Sequence, residues 1–550
     1  MKIFTTLFKE NETRNQLPPI LVLTFILGLT CINKFWAPYD DGISLSSSEL
    51  IYNGYVPYKD FILLYAPLQF YITAFLFKLF GASHIVARLF TVLMYTTICL
   101  ITYYLTKKAS QNPRVAFFAW LICAASLVPR LGASLSTMWE GMGFAFIGMF
   151  FMCKFFEFRK YVFLAAGAFA SGLAALSRQD MGSYAALASV SALFILTFSE
   201  EDTLASKMRC FFRNSIFFSL AFLVPISLFF IYLRSHNAIP DFLYSMQLVS
   251  PRTPVGIESS LHLSPICWDL RQIFYGSLNF ISMNQFYIPF LAYVTSIFLF
   301  VSLYFSGNDK RGLARYAATI TLFSIFGIFT YLYILYRPDD HHLLYALAPS
   351  AVVFGLIYAG ITDKTFKLPF SLKVCFRVLF ALLFFLFVLL IIKNFDKYSK
   401  NVFVKPYFDK KILRLSSKKG SIYIPKDQYE PVKNVISFII KNTTKGEKIF
   451  IWNKGASGTF LGTDMLVYFF TDTLPGTENF IVMPGYTNTA DVQNKIIASL
   501  KKNAVKLVVL LGDKNTGNWN EADRGLIDDY VETNFTLAER IGYFYVYLKK

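Results

Sequence analysis

Long apolar runs separated by short polar breaks organise this chain from its first tens of residues to Lys393, where the pattern stops. A bilayer span needs about 20 mainly apolar residues. Runs of that kind lie at 17–35, 85–105, 115–128, 138–156, 161–176, 183–198, 216–232, 286–305, 316–336, 343–361 and 374–392, which makes eleven expected spans. Basic clusters recur in alternate breaks: Lys107/Lys108/Arg114, Arg159/Lys160, Lys207/Arg209/Arg213, Lys310/Arg311/Arg315 and Lys364/Lys367/Lys373. Lys and Arg collect in cytoplasmic loops, so these breaks and the N-terminus are expected inside and the tail, after an odd number of spans, outside. The other breaks then share the outer side: Asp40/Asp41, the SRQD at 177–180, the long loop 233–285 and the RPDDHH at 337–342. All five histidines (His84, His236, His262, His341, His342) fall there too.

The first outer loop, 36–84, is dense in polar and aromatic residues. Asp40 and Asp41 stand a few residues beyond the first run, 43–52 reads as a short amphipathic helix with Ser44, Ser46, Ser47 and Ser48 in its first turns, and Asn53-Gly54 reads as a turn. Aromatic and aliphatic residues then run from Phe61 to Phe80, with Lys78 the single charge. Pro67 interrupts this stretch, which is therefore expected to lie in or near the membrane interface with its tyrosines at headgroup depth.

From residue 394 the chain turns lysine-rich, and from 429 it alternates. Periodicity predicts helices at 431–441, 489–502 and 521–534 and strands at 448–452, 505–511, 535–541 and 543–548, a small α/β domain. The expected division is thus 1–393 in the membrane and 394–550 outside it. Gly455, Gly458 and Gly462 match neither a GxGxxG nor a phosphate-binding loop and read as turn residues.

Composition agrees: of 550 residues 55% are hydrophobic and 16% charged, which marks a polytopic α-helical membrane protein. The net charge of +18 resembles a nucleic-acid signature, but topology accounts for it and no module joins basic and stacking residues. Seven cysteines lie mostly inside apolar runs, with no disulfide framework and no zinc spacing. Lys2, Lys9 and Arg14 precede the first run without a small-residue cleavage site, so that run reads as a span.

Three clusters carry candidate chemistry. A carboxylate of the Asp40/Asp41 pair can take a proton from an alcohol, or can cap the helix that follows. Arg178, at the outer end of a span, is costly there unless it binds an anion or pairs with Asp180. In RPDDHH, Arg337 offers a grip on phosphate, His341 or His342 a donor to it, and Asp339/Asp340 an orientation for a sugar; two adjacent histidines do not easily reach one metal ion.

Taken together, the acidic pair after the first span, VPYKDF, PLQFY ending in LFKLFG, SRQD at a span end and HHLLYALAP opening a late span resemble the GT-C membrane glycosyltransferases. The likeness is to family 39, the protein O-mannosyltransferase-like and aminoarabinose-transferase-like group, and the tail's GEKIFIW, PGYTNT and KLVVL are similar to the outer domain of many bacterial members. The resemblance implies a polyprenyl-phosphate-linked sugar as donor, catalysis at the outer face, and the leading acid of the pair as base, which falls on Asp40 with Asp41 beside it. Many aminoarabinose-transferase-like relatives carry a lysine before a PPL segment, thought to meet the donor phosphate; Tyr65-Ala66-Pro67-Leu68 stands here instead. Phosphate binding is accordingly expected from Arg178, Arg337 and His342.

The reading is an inverting transferase of the bacterial inner membrane, its site and tail facing the periplasm, acting on lipid A, an envelope glycan or a protein. It needs no cofactor beyond the lipid-linked co-substrate, no divalent metal and no nucleic acid. The rival readings are a transporter or flippase of lipid-linked sugars, which would place polar groups at the midplane, and an O-antigen-ligase-like enzyme.

Overall fold

The structure is a computed structural model that describes residues 11–63, 65–131, 135–199, 203–248, 285–306, 310–336, 340–454, 464–483, 486–514 and 524–550. The eleven apolar runs each coincide with a helix: α1 (Asn11–Leu29), α4 (His84–Ser110), α5 (Pro113–Leu131), α6 (Thr137–Phe158), α7 (Tyr161–Ser177), α8 (Gln179–Phe198), α9 (Leu204–Ser235), α11 (Tyr287–Phe305), α12 (Lys310–Tyr336), α13 (Asp340–Thr362) and α14 (Phe370–Ser399). Three further helices, α2 (Asp40–Tyr52), α3 (Leu68–Phe80) and α10 (Ile239–Leu248), lie in the expected outer breaks. Eight helices of the described chain are long and apolar enough to cross a membrane, against the eleven expected; the apolar parts of α1, α5 and α7 are shorter. Pro18 and Pro19 lie inside α1 and Pro129 inside α5.

Hydrophobicity in these helices sorts by depth in the bundle. Almost the whole apolar stretch of α13 is buried, whereas α9 and α14 leave most of theirs on the outside, with Leu220, Leu228 and Ile231 exposed on α9. In a spanning chain such faces meet lipid, which is as apolar as leucine. Chain direction alternates along the bundle. One end therefore collects the starts of α2, α4, α6, α8, α11 and α13, and the other the basic clusters from Lys107 to Lys373.

Two outer elements differ from expectation. The helix 43–52 begins at Asp40, and residues 41–50 are all buried, serines included, because α3 and α4 cover one side and the C-terminal domain the other. Its polar face meets protein, not water. In 61–80 the helix starts only at Leu68, with Pro67 as its N-cap. Phe75, Leu79 and Phe80 are exposed on one face and Phe70, Ala74 and Phe77 buried on the other, the two-sided pattern of an interfacial helix.

No break occurs at residue 394. Helix α14 continues to Ser399 and runs on as a π-helix over Lys400–Phe408. The domain beyond opens with a hairpin the periodicity had not indicated, β1 (Ile412–Ser417) against β2 (Gly420–Pro425). Then follow α15 (Lys426–Asn442), β3 (Lys448–Asn453), α16 (Leu466–Phe470), β4 (Leu474–Pro475), α17 (Ala490–Lys502), β5 (Leu507–Leu511), α18 (Leu526–Asn534), β6 (Phe535–Ile541) and β7 (Phe544–Lys549). The sheet order is β4-β3-β5-β7-β6, parallel through β4, β3 and β5 and antiparallel beyond.

Strand alternation divides the domain's core in two. Phe450, Trp452, Val508 and Leu510 pack on α17 and α18. Ile449, Ile451, Val509 and Leu511 face the opposite way and merge with Val432, Val435 and Ile439 of α15, and with Ile43, Leu45, Leu50, Phe61, Phe70 and Phe77 of the first outer loop. The domain and that loop share one apolar core.

Candidate active site

The acidic pair separates at the N-terminus of α2. Asp40 is exposed, while Asp41, 0% exposed, spends both carboxylate oxygens inside the protein. Its Oδ1 accepts from the Leu135 backbone N–H at 2.6 Å, and its Oδ2 accepts from Arg88 Nη2 at 2.5 Å and lies 3.2 Å from His84 Nε2. Burial alone would raise the Asp41 carboxyl; Arg88 and His84 outweigh it and hold the group below its usual range. The N-cap is Tyr39, with no side-chain cap bond, so neither acid caps the helix. Asp41, expected beside Asp40 as a catalytic carboxylate, has both oxygens engaged in fastening the first outer loop to α4 and to the Leu135 backbone. Of the pair, Asp40 alone is exposed.

Leu135 also leads to a carboxyl that the sequence reading passed over. Ser44 Oγ donates to the Leu135 carbonyl at 2.8 Å, and five residues further Glu140 sits in the first turn of α6, 1% exposed. Its Oε2 has no hydrogen-bond partner among the described residues. The signal was an acid inside an apolar run near its outer end.

Gly141 carries the site to Arg178: a Cβ built on this glycine would lie 3.1 Å from the Arg178 Cβ. Arg178 separates α7 from α8 in extended conformation and donates from Nε to both oxygens of Asp180, at 2.9 and 3.0 Å. The guanidinium lies over the Tyr333 ring, 5.0 Å from its centroid. Burial opposes its charge, and Asp180 with the hydroxyls of Tyr333, Tyr345 and Tyr65 outweighs the burial, so it stays protonated. The expected Arg178–Asp180 pair is thus present, and it uses Nε alone; neither terminal nitrogen donates to a described residue. A fork braced on one edge and one face leaves its other edge for an anion.

The Tyr333 ring centroid in turn lies 5.4 Å from that of His342, the rings tilted at 51°, and the His342 ring lies 6.0 Å from that of Tyr345. The start of α13 is therefore linked to Arg178 through His342 and Tyr333. Arg337 and Asp339 lie outside the described residues, as do the side chains of Asp340 and His341 at the start of α13. Tyr65 stands in the 65–67 segment, its carbonyl accepting from Tyr58 Oη at 2.8 Å. No group of three or more metal-ligating side chains occurs among the described residues.

The C-terminal domain is bonded to the first outer loop beside this cluster. Tyr39 Oη donates to the Val482 carbonyl at 2.9 Å and the Leu466 N–H to the Pro38 carbonyl at 3.0 Å, both joining the loop to the C-terminal domain. Helix α10 bridges from the side: Met246 Sδ lies 2.9 Å from Gln179 Nε2, and the Tyr244 and Tyr486 hydroxyls meet at 3.4 Å.

Residues 65–229 match the family model described as dolichyl-phosphate-mannose-protein mannosyltransferase. No curated protein matches the sequence. Among solved structures, ArnT from Cupriavidus metallidurans bound to undecaprenyl phosphate superposes with a TM-score of 0.54 at 12% identity, covering 96% of this chain and 97% of that one. Its apo state gives 0.50 at 12% identity, with 98% of each chain covered. An Archaeoglobus fulgidus oligosaccharyltransferase in complex with zinc and sulfate gives 0.46 at 11% identity, over 96% of this chain and 73% of that one. The chain therefore has an ArnT-like fold from its first helix to its C-terminal sheet, and residues 65–229 are similar to the mannosyltransferase family model.

Proposed function

We propose that this protein is an inverting glycosyltransferase that moves a sugar from a polyprenyl-phosphate donor to a hydroxyl acceptor. The observation that carries the reading is the braced guanidinium of Arg178, charged, with its terminal nitrogens uncommitted among the described residues, at the end of the bundle that also holds Asp40 and Glu140. A phosphate ester fits that fork. ArnT of the same fold has been seen with undecaprenyl phosphate, which supports a lipid phosphate as the anion here.

Asp40 removes the acceptor's hydroxyl proton as the oxygen attacks the anomeric carbon. The bond from that carbon to the phosphate oxygen breaks on the opposite face, and the polyprenyl phosphate leaves with one more negative charge, which Arg178 and His342 stabilise. Glu140 gives the mouth a second carboxyl to hold a sugar hydroxyl. The lipid tail lies along the exposed apolar helices while its head reaches this end of the bundle. The basic clusters at the opposite end support the orientation with this mouth and the C-terminal domain outside, in a bacterial inner membrane facing the periplasm. Asp40→Asn in the full chain, assayed with a polyprenyl-phosphate sugar in proteoliposomes, should abolish transfer without loss of folded protein. Near-normal turnover would end the proposal.

A further inference from the structure

The C-terminal domain touches the first outer loop at one point that is unusually well held. Hairpin β1–β2 turns at Ser417–Gly420, and Gly420 has φ +119°, a conformation that L side chains rarely adopt, as it passes Ser83, His84 and Ile85. This seats Lys419 between the hairpin, α2 and α4. Its side chain is 7% exposed. The ammonium bonds Glu49 in the last turns of α2 and Asp472 Oδ1 at 2.8 Å, and it lies 4.4 Å from the centroid of Phe469. Its backbone carbonyl accepts from the His84 N–H at 2.9 Å. His84 is the residue whose ring meets Asp41, eight residues before Glu49 on the same helix.

The four residues close a circuit: Asp41 to His84, His84 to Lys419, Lys419 to Glu49, and back along α2 to Asp41. A helix tied at Asp41 to α4 and at Glu49 to a hairpin that itself bonds α4 resists tilting and sliding, and Asp40 is its first residue. We infer that Lys419 is a positioning residue, by which the C-terminal domain fixes the Asp40–Tyr52 helix and so holds Asp40 at the mouth of the bundle. The role assigned to Asp40 rests on the reading above. The clamp itself does not, since a helix is either held or not whatever its first residue does.

The test is hydrogen exchange by mass spectrometry on the full chain in lipid nanodiscs, for wild type, Lys419→Met and Lys419→Arg. In Lys419→Met the amides of 41–50 should exchange about tenfold faster, while those of β3, β5 and the bundle helices keep their rates. Lys419→Arg, which retains the charge between Glu49 and Asp472, should restore slow exchange. Unchanged exchange in 41–50, or an equal loss across β3 and β5, would overturn the proposal, the second result because it would show only that the domain unfolds. If Lys419→Met does not accumulate, Lys419→Gln takes its place with the same outcomes. Where the donor assay also reports transfer, the Met variant should lose kcat and keep KM for the polyprenyl-phosphate sugar. Loss of activity in Asp40→Asn bears on the chemistry alone, so the two ideas fail separately.

Discussion

Arg88 and Asp41 form an ion pair at 2.5 Å in which neither side chain is more than 1% exposed. The pair joins the first outer loop to the start of a span, and the geometry is good enough to repay desolvation only because His84 and the Leu135 N–H complete the carboxylate's shell. Asp41→Asn removes the charge and leaves Arg88 buried without it. A loss of about 3–5 kcal/mol is expected, as for broken buried pairs, read as a fall in thermal midpoint in detergent.

The pH dependence of that loss has a definite sign. Asp41 is held below its ordinary value in the folded protein, because Arg88 and His84 outweigh burial. Its contribution is therefore complete above the unfolded value of about 3.9 and fades only as pH falls through the lower folded value. The gap in midpoint between wild type and Asp41→Asn should stay level from about pH 7 to 5 and narrow only below about 4.

Asp40 should behave in the opposite way. It is exposed, so Asp40→Asn should move stability by no more than about 0.5 kcal/mol. If it is the base, transfer should drop by about 10²–10⁴-fold. Measuring midpoint and turnover on both single variants separates the acid that holds the loop from the acid that works in it.

Arg178 makes a claim about the donor. Arg178→Lys keeps the charge and loses the planar fork that Asp180 and Tyr333 brace. Binding of undecaprenyl phosphate, followed by its quenching or retention on the purified protein, should weaken by roughly 10- to 100-fold in either Arg178→Lys or Arg178→Ala, as for loss of a charge-assisted bond. Affinity within about twofold of wild type in both would remove Arg178 from the phosphate site.

Glu140 should show stability and function pulling apart. Burying a carboxyl whose Oε2 lacks a described partner is costly, so Glu140→Gln should fold as well as wild type or better. Transfer should fall nonetheless. Unchanged turnover would make Glu140 a tolerated burial and nothing more.

What the chain announces in its sequence is periodic. Apolar runs located all eleven bundle helices to within a few residues, except where Lys and Arg at helix ends extend them, and alternation located β3, β5, β6 and β7. The ion pair Arg178–Asp180 was legible because two charges stood together at a span end. Asp41's partners were not: Arg88 and His84 lie in SHIVARLF, 43 to 47 residues away, and nothing local says that they turn toward Asp41. The serines of α2 read as part of a short amphipathic helix, and period alone cannot reveal a second domain that covers the polar face. Lys419, 370 residues from Glu49, is a surface lysine by every local rule.

Gly42 shows how closely that covering domain approaches. A Cβ on Gly42 would stand 2.5 Å from the Leu466 backbone N and 2.7 Å from the Met465 backbone carbon. Both are main-chain atoms, so no rotamer change can make room. The Leu466 N–H is also the donor to the Pro38 carbonyl, which means that any retreat of α16 breaks a bond between loop and domain. Gly42→Ala should therefore cost about 1–3 kcal/mol, the range for overpacking, although alanine is the better helix former. The measurement is the thermal midpoint together with proteolysis of the full chain: α16 should become the first site cut. A midpoint equal to or above wild type would mean that the domain can shift off the loop without penalty, and the shared core between them would then contribute little to holding Asp40 in place.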